Sequence, residues 1–313
     1  MRLVAKTKQS EIANVYIAEL KPDKYIEFAE SVYPDIPRNK KWVITISTLD
    51  GCPVSCKFCD AGVYYKGKLT KDDMLSQILY LIDLYYPNRT VPVEKFKIQF
   101  ARMGEPTFNK AVIDVLTDLP SLIDAHGLTP SISTIAPNGC EDFLVQLADV
   151  KQNIYKSNFQ LQFSIHSTNE IQRDDIIPVK KWDFKKIVNY SEKFFQKGDK
   201  KITLNFALDK SYKLEPDVLI QYFDPDIFLI KLTPINPTFS AELNKLSSVI
   251  NGANSNRELI NKIEDAGFEV ILSIGEQEEN RIGSNCGQHI LNFLKSGENL
   301  QHSYTYDIIN YGT

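Results

Sequence analysis

Short runs of β-branched and aromatic residues alternate along the chain with longer stretches of amphipathic pattern. The first pattern predicts buried strands and the second predicts helices. Seven strands are predicted after residue 40, at 42–47, 96–101, 130–135, 159–166, 202–208, 227–232 and 268–273. Six helices are predicted between them, at 71–84, 109–124, 141–150, 184–196, 215–222 and 257–266. This strict alternation of strand and helix is typical of parallel β-α-β units.

A parallel sheet has to be covered by its helices, so the pattern predicts a complete or partial (β/α) barrel, with an open doubly wound sheet as the alternative. Active residues of such a barrel lie at the carboxyl ends of its strands. The distinctive motifs follow predicted strands in this way: the cysteine loop at 52–59, Met103-Gly104-Glu105-Pro106, Ala136-Pro137-Asn138, Ser164-Ile165-His166 and Pro234-Ile235-Asn236-Pro237. Alternation at 12–20 and 25–33 predicts that residues 1–40 form a short β extension capping a barrel domain of residues 41–313.

Composition indicates an ordinary soluble globular protein, with 43% hydrophobic and 24% charged residues in a chain of 313. A net charge of −4 argues against binding nucleic acid through overall charge. Eight lysines form a local basic patch that is either a phosphate-contacting face or a solvated helix surface: Lys180, Lys181, Lys185, Lys186, Lys193, Lys197, Lys200 and Lys201. No apolar stretch is long enough to span a bilayer and the start lacks a signal-peptide core. We therefore expect a cytoplasmic protein without a membrane partner.

Three of the five cysteines, Cys52, Cys56 and Cys59, lie within eight residues. An odd count in a reducing compartment argues against a disulfide framework. Three thiolates on a [4Fe–4S] cluster leave one iron open, and an open iron can chelate a small molecule through its amino and carboxylate groups. A zinc site completed by a distant residue, such as His126 or Cys140, is the alternative.

The C-x3-C-x2-C spacing, with Phe58 before the last cysteine, resembles the radical S-adenosylmethionine (SAM) superfamily. That resemblance implies that SAM binds the open iron and that an electron from the cluster cleaves it to a 5′-deoxyadenosyl radical. It also implies an electron donor of the flavodoxin or ferredoxin type. The cofactor would then perform the difficult chemistry while the protein orients and shields it.

Six further motifs resemble the RlmN/Cfr family, whose members methylate carbon 2 or carbon 8 of an adenine in RNA. In chain order these are residues 47–52, 103–106, 163–169, 173–178, 234–237 and Asn285-Cys286-Gly287-Gln288, and the resemblance covers roughly residues 25–295. It implies a partial (β/α)6 TIM-like radical SAM barrel. It also implies transfer of a methyl or methylene group to an sp² carbon of an RNA or nucleotide-like substrate.

The resemblance assigns roles to individual positions. Cys52, Cys56 and Cys59 would hold the cluster, and Cys286 would carry the methyl group taken from one SAM, which the radical from a second SAM activates. The SAM-binding positions would be Gly104, Glu105, Ser131, Ser133, Ser164, Ile165, His166 and Asn236. Ordinary structural roles remain open for these residues, including a helix-capping carboxylate at Glu105, a core histidine at His166 and an inert buried thiol at Cys286.

The pattern departs from the family at the second catalytic cysteine, whose position seven residues before Cys52 holds Thr45. A threonine cannot form a disulfide, so the family's release step cannot run there. Glu30 resembles a family glutamate near the active site and is a candidate base, while Cys140 is a candidate replacement thiol. About forty residues precede the barrel where the family has a helical domain of roughly a hundred, which favours a small RNA or nucleotide substrate. The alternative is a non-methylating radical SAM enzyme that abstracts hydrogen directly from a small molecule or peptide.

Overall fold

A computed structural model describes residues 1–7, 10–32, 35–250, 256–274, 279, 282–284, 289–294 and 308–311. Within these residues one large mixed sheet has the strand order β12-β11-β10-β9-β8-β7-β4-β3-β2-β1-β13. Its strands are β1 (Arg2–Thr7), β2 (Ala13–Lys21), β3 (Lys24–Ser31), β4 (Lys41–Ile46), β7 (Lys95–Phe100), β8 (Leu128–Thr134), β9 (Gln160–Ser164), β10 (Ile202–Leu208), β11 (Phe228–Pro234), β12 (Val270–Leu272) and β13 (Ile308–Asn310). A separate hairpin pairs β5 (Leu49–Gly51) with β6 (Tyr65–Lys68).

Six helices join the parallel strands and pack on one face of the sheet. They are α1 (Lys71–Tyr85), α2 (Ala111–Leu122), α3 (Glu141–Val150), α5 (Phe184–Phe194), α6 (Pro216–Tyr222) and α8 (Arg257–Asp265). Three shorter helices lie outside this layer: α4 (Glu170–Ile176), α7 (Phe239–Leu243) and α9 (His289–Leu294). Side chains cap the starts of α1 and α5, because Thr70 forms a capping box and Asp183 accepts from the backbone N–H of Lys186. No helix among the described residues is long and apolar enough to cross a membrane.

The seven strands β4 and β7–β12 run parallel and lie side by side in chain order. Each corresponds to one predicted strand, and each of the six predicted helices is present. Alternate residues of these strands, such as Trp42, Ile98 and Ile230, pack with helix residues in one hydrophobic core, which we call the helix-side core. The other alternate residues face away from the helices, on what we call the inner face. The six connecting helices α1, α2, α3, α5, α6 and α8 pack in this one core, which fits the predicted partial barrel and not the doubly wound alternative, where connecting helices cover both faces.

The N-terminal extension continues the sheet at its edge instead of capping an end of the barrel. β1, β2 and β3 are antiparallel neighbours, and β3 pairs antiparallel with β4 through Ala29 and Thr45. β2 is buried along most of its length because Tyr16 packs in the helix-side core and Val15 packs on the inner face. Since one sheet spans both parts, the division at residues 40 and 41 stays a prediction.

Candidate active site

The cysteine loop follows β5 and is shaped by its own backbone. Cys52 N donates to the Tyr64 carbonyl at 3.0 Å, and Cys59 N donates to the Cys56 carbonyl at 3.0 Å. Gly51 has a φ of +79°, and a Cβ there would come within 2.0 Å of the Tyr64 oxygen. Only glycine therefore allows the chain to turn into the loop. The three cysteines are free and half-buried.

The three thiols lie close enough to affect one another. Burial raises the pKa of Cys52 to about 11 and that of Cys59 to about 12, and burial followed by the charges of Cys59 and Cys52 also raises the pKa of Cys56. Three adjacent thiolates thus require a cationic partner, and a bound metal deprotonates a coordinating thiol. No three His, Cys, Asp or Glu side chains in the described part of the chain surround a single metal ion. In a [4Fe–4S] cluster each cysteine binds a different iron, so the three thiols need not surround one metal ion. Cys52, Cys56 and Cys59 therefore fit a cluster better than a zinc site.

Contacts from α7 support the cysteine loop, and the sequence did not predict them. The buried Asp60 carboxylate accepts from the backbone N–H groups of Phe239 and Ser240, at 3.2 and 2.8 Å. Thr238 donates its hydroxyl to the Phe58 carbonyl at 2.8 Å, and Asn244 donates to the Lys57 carbonyl at 2.8 Å. The only signal in the sequence is an acidic residue next to Cys59, because the partners lie about 180 residues further along the chain.

Replacing Asp60 with asparagine should weaken the support of the loop. An amide can accept on one oxygen only, so its NH2 group would face the N–H of Phe239 or Ser240 without a bond. We expect cluster iron to be lost several-fold faster to a chelator from Asp60→Asn than from the wild type. Asp175→Asn, which removes an exposed ion pair with Lys57, is the matched control. Equal rates of iron loss in Asp60→Asn and the wild type would contradict a supporting role.

Gly104 and Glu105 lie after β7, beside the cysteine loop. Gly104 has a φ of +102°, and a Cβ there would overlap the Leu49 side chain at 2.5 Å. Glu105 is buried, and its Oε1 accepts from Thr107 N, Thr107 Oγ1 and Thr134 Oγ1, while its Oε2 accepts from Ile135 N. Burial raises the pKa of Glu105 despite these bonds. The carboxylate therefore caps the following 3-10 turn, and Oε2, with one bond, can still accept from an ammonium group.

His166 packs against the cysteine loop. Its ring lies edge-on to Phe58 with centroids 4.8 Å apart, and its Nδ1 accepts from the Ala207 backbone at 3.0 Å. Burial, with a further contribution from Arg173, lowers the pKa of His166 to about 3. The ring is thus neutral with its proton on Nε2, which makes it a donor to any ligand. The backbone of His166 is left-handed, with a φ of +62°.

The other predicted SAM-binding residues occupy different surroundings. Ser131, Ser133 and Ser164 lie on the inner face, since their strand neighbours pack in the helix-side core. The Ile165 side chain is itself in that core, so only its backbone is available to a ligand. The buried Oδ1 atoms of Asn236 and of the inner-face Asn205 have no hydrogen-bond partner among the described residues. Two orphaned acceptors beside the predicted site fit a polar ligand such as SAM.

The structure does not place Glu30 at the site, and the catalytic role predicted for it does not fit. Its carboxylate lies on the helix side of β3 and accepts from five donors, which are Asn14 Nδ2, Tyr16 OH, Arg38 Nη1, Trp42 Nε1 and Tyr85 OH. A carboxylate with this many donors has no free lone pair for a proton from a substrate. Glu30 therefore holds β3 to its neighbours and to α1.

Glu27, three residues earlier on β3, faces the inner side and forms a buried ion pair with Arg102. Arg102 also donates to the carbonyls of Gly283 and Ser284, each at 2.7 Å. The other oxygen of Glu27 accepts from Ile290 N at 2.9 Å. Cys286 lies outside the described residues. The ion pair nevertheless fixes the chain on both sides of Cys286. Its Arg102 directly precedes Met103-Gly104-Glu105 in the sequence.

Thr45 and Cys140 do not supply a second reactive thiol. Thr45 lies on the inner face and donates to Gln99 Oε1 at 3.2 Å. Cys140 begins α3 within the helix-side core, and burial raises its pKa to about 12. A buried thiol with a raised pKa is a poor nucleophile, and the position of Cys140 matches the alternative of a buried thiol at a helix start.

Comparison with known proteins finds RNA methyltransferases among the relatives of this chain. A probable dual-specificity RNA methyltransferase RlmN of Thermosipho melanesiensis is 28% identical over 204 residues, covering 62% of this chain and 56% of that protein. The corresponding protein of Prochlorococcus marinus is 27% identical over 237 residues, covering 70% of this chain and 65% of that protein. No family model matches the chain. The chain thus aligns with little more than half the length of these curated relatives.

A solved structure has the same fold. A radical SAM methyltransferase from Sphaerobacter thermophilus superposes with a TM-score of 0.71 at 16% identity, over 92% of this chain and 81% of the other. The structural similarity confirms the predicted α/β fold, and the sequence similarity confirms the predicted resemblance to RlmN.

Proposed function

We propose that this chain is a radical SAM enzyme that transfers a methyl-derived carbon through Cys286 to an sp² carbon of an adenine-containing substrate. Sequence similarity to RlmN proteins supports the methyltransferase class. The observation that carries the proposal is the Glu27–Arg102 ion pair, because it anchors Gly283, Ser284 and Ile290 beside the Gly104-Glu105 element. A carrier cysteine has to lie near the bound SAM, and this anchoring supports such a position for the segment.

Cys52, Cys56 and Cys59 would hold the [4Fe–4S] cluster, and Glu105 Oε2 would accept from the amino group of SAM. His166 Nε2 would donate to an acceptor of the ligand, and the orphaned Oδ1 of Asn236 would accept from one of its donors. When bound, the cluster and SAM supply the electron, the radical and the methyl group. The chain's part is to orient the ligand and to hold water away from the site, which the apolar Val54, Ile135 and Ile177 beside the cysteines support.

Isotope labelling tests this proposal. Anaerobically reconstituted protein would be incubated with SAM that carries a labelled methyl group, and its cysteine peptides would be analysed by mass spectrometry. We expect label on Cys286 in the wild type and in Cys140→Ala, and none in Cys286→Ala. An unlabelled Cys286 in protein that still cleaves SAM to deoxyadenosine would refute the carrier role.

The substrate class follows the named relatives in part. Those proteins are RNA methyltransferases, which supports an RNA or a nucleotide as the acceptor. The basic patch adds little to this, because Lys181 and Lys186 are already paired with Asp174 and Glu141. A flavodoxin or ferredoxin remains the proposed electron donor, and the cytoplasm the proposed location.

Thr45 favours a second candidate, a radical SAM enzyme that abstracts hydrogen directly from its substrate. The hydroxyl of Thr45 is engaged with Gln99 and cannot break a thioether by forming a disulfide. A methyl-derived carbon bound to both Cys286 and a substrate would then stay attached to the protein. Deuterium that moves from labelled substrate into deoxyadenosine would support this candidate, whereas deuterium arriving only from the methyl group of SAM would exclude it.

A further inference from the structure

The hydroxyl group of Tyr212 is a buried donor for which the described residues provide no acceptor. Tyr212 lies in the segment between β10 and α6, and its backbone N–H donates to the Asp209 carbonyl at 3.0 Å. Its ring is partly exposed, but its hydroxyl oxygen is buried and has no hydrogen-bond partner in the described part of the chain. Because a buried hydroxyl without a partner is destabilising, such a group points to an acceptor that a ligand supplies.

The ring of Tyr212 packs beside the cysteine loop. Tyr212 and Cys56 pack against the same apolar group, whose buried members are Val54, Ile135, Ile176 and Ile177. Tyr212 also packs with Phe58 against a second apolar group, to which Ala241 of α7 belongs. The loop that would hold the cluster and the segment after β10 therefore share their packing.

Helix α4 fixes the segment that carries Tyr212. Gln172 donates from Nε2 to the Ser211 carbonyl and accepts from Lys213 N on Oε1, each at 2.7 Å. The Asp209 carboxylate also accepts from Ser211 N at 2.8 Å. Both chain neighbours of Tyr212 are thus held by hydrogen bonds, so its ring starts from a fixed backbone.

The same helix holds the cysteine loop. Ile176, one turn after Gln172, accepts on its carbonyl from Lys57 N at 3.1 Å, and Lys57 directly follows Cys56. The two attachment points lie about 6 Å apart along α4. The proximity of Tyr212 and Cys56 therefore follows from packing and from hydrogen bonds to one short helix.

The surroundings keep the Tyr212 hydroxyl protonated. Burial, followed by the charges of Asp209, Asp175 and Cys56, raises its pKa. The sulfur of a neutral thiol is a weak hydrogen-bond acceptor, whereas a metal-bound thiolate is deprotonated and carries negative charge. Hydrogen bonds to ionised groups are the stronger ones, so binding of a cluster by Cys56 would give this hydroxyl its acceptor.

We propose that Tyr212 donates a hydrogen bond to the cluster-bound Cys56 thiolate and thereby raises the reduction potential of the cluster. The proposal rests on the cluster assignment within the proposed function and does not depend on Cys286. A hydrogen bond to a sulfur ligand offsets negative charge, so it stabilises the reduced cluster, which holds one more electron. That electron comes from an external reductant, and the hydroxyl keeps its proton throughout.

Redox titration of the anaerobically reconstituted protein with titanium(III) citrate, followed by electron paramagnetic resonance of the reduced cluster, tests the proposal with and without SAM. Tyr212→Phe keeps the ring and removes only the hydroxyl. Without SAM, we expect its reduction equilibrium to be at least threefold less favourable than that of the wild type. This is a shift of about 28 mV to more negative potential, since a tenfold change is about 59 mV for one electron. The matched control Tyr155→Phe removes a buried hydroxyl that donates to the Leu116 carbonyl in the helix-side core, and it should leave the potential unchanged.

Thermal unfolding provides a second measurement that separates the hydrogen bond from packing. In cluster-free protein, Tyr212→Phe should unfold at the same temperature as the wild type or at a higher one, because the hydroxyl that it removes has no partner there. Tyr155→Phe should unfold at a lower temperature both with and without the cluster, because its hydroxyl is bonded in either case. A cluster-free Tyr212→Phe that is less stable than the wild type would contradict the proposal.

The outcomes of the redox titration distinguish this proposal from the proposed function. An unchanged potential in Tyr212→Phe that holds as much iron and sulfide as the wild type would overturn the proposal and leave the proposed function standing. A shift that appears only with SAM would also overturn it, because the hydroxyl would then donate to SAM and not to Cys56. Wild-type protein that assembles no cluster would overturn both.

Discussion

Cys56→Ala is expected to lose both bound iron and all cleavage of SAM. Cys56 lies between the two other cysteines in the sequence, and after burial the charges of both raise its pKa. Alanine removes one of three ligands without introducing an oxygen that could replace it. A cluster held by two protein ligands would be exposed to solvent and released, so no electron would reach SAM. Iron and sulfide analysis, with quantification of deoxyadenosine, measures both effects.

Cys140→Ala is the matched control for this experiment, because it removes a thiol from the helix-side core instead of the loop. It should retain iron and SAM cleavage at wild-type levels while losing some stability from the smaller side chain. Reconstituted wild-type protein that holds one zinc per chain and no iron would show that the three cysteines belong to a zinc site. The cluster assignment and the proposed function would then both be wrong.

Arg102→Met is expected to destabilise the protein and to abolish methyl labelling of Cys286. The substitution leaves the buried Glu27 carboxylate without its counter-ion, and breaking a buried pair in this way costs about 3–5 kcal/mol. It also removes the two bonds to the carbonyls of Gly283 and Ser284. Denaturant unfolding measures the loss of stability, and the isotope experiment measures the labelling.

A surface pair offers the comparison for Arg102. Arg2 forms two bonds to Glu19 on an exposed part of the sheet, and Arg2→Met should change stability by no more than about 1 kcal/mol. The double variant Glu27→Met with Arg102→Met should recover part of the stability, because it leaves no unpaired charge, yet remain unlabelled at Cys286. Labelling that survives in folded Arg102→Met would show that the ion pair does not position the carrier segment.

Thr45 gives the proposed chemistry a defined limit. The resemblance to RlmN/Cfr proteins implies release through a thiol seven residues before Cys52, where this chain has Thr45, and the buried Cys140 with its raised pKa does not replace that thiol. The labelling of Cys286 and the release of product are therefore separate questions. The first depends on the anchoring by Glu27 and Arg102, and the second on a group other than Thr45.

Most of the secondary structure was predictable from the sequence. Strand and helix periods depend on local alternation of apolar residues, so the seven parallel strands and six connecting helices were found within a few residues of their observed bounds. The helices α4, α7 and α9 were missed because seven, five and six residues are too few for a helical period to emerge. Asp60, Thr238 and Asn244 were missed for another reason, since each acts on a partner far away in the chain.

The sequence by itself determined the order of the elements, the position of the motifs after strands, and the spacing of Cys52, Cys56 and Cys59. Only the tertiary structure decided which side of the sheet each residue faces. Glu30 and Glu27 lie three residues apart on β3 and so point to opposite faces, where one meets five donors and the other meets Arg102. Residue type does not encode that difference, because it arises from the pairing of β3 with its neighbours and from the chain that packs on each face.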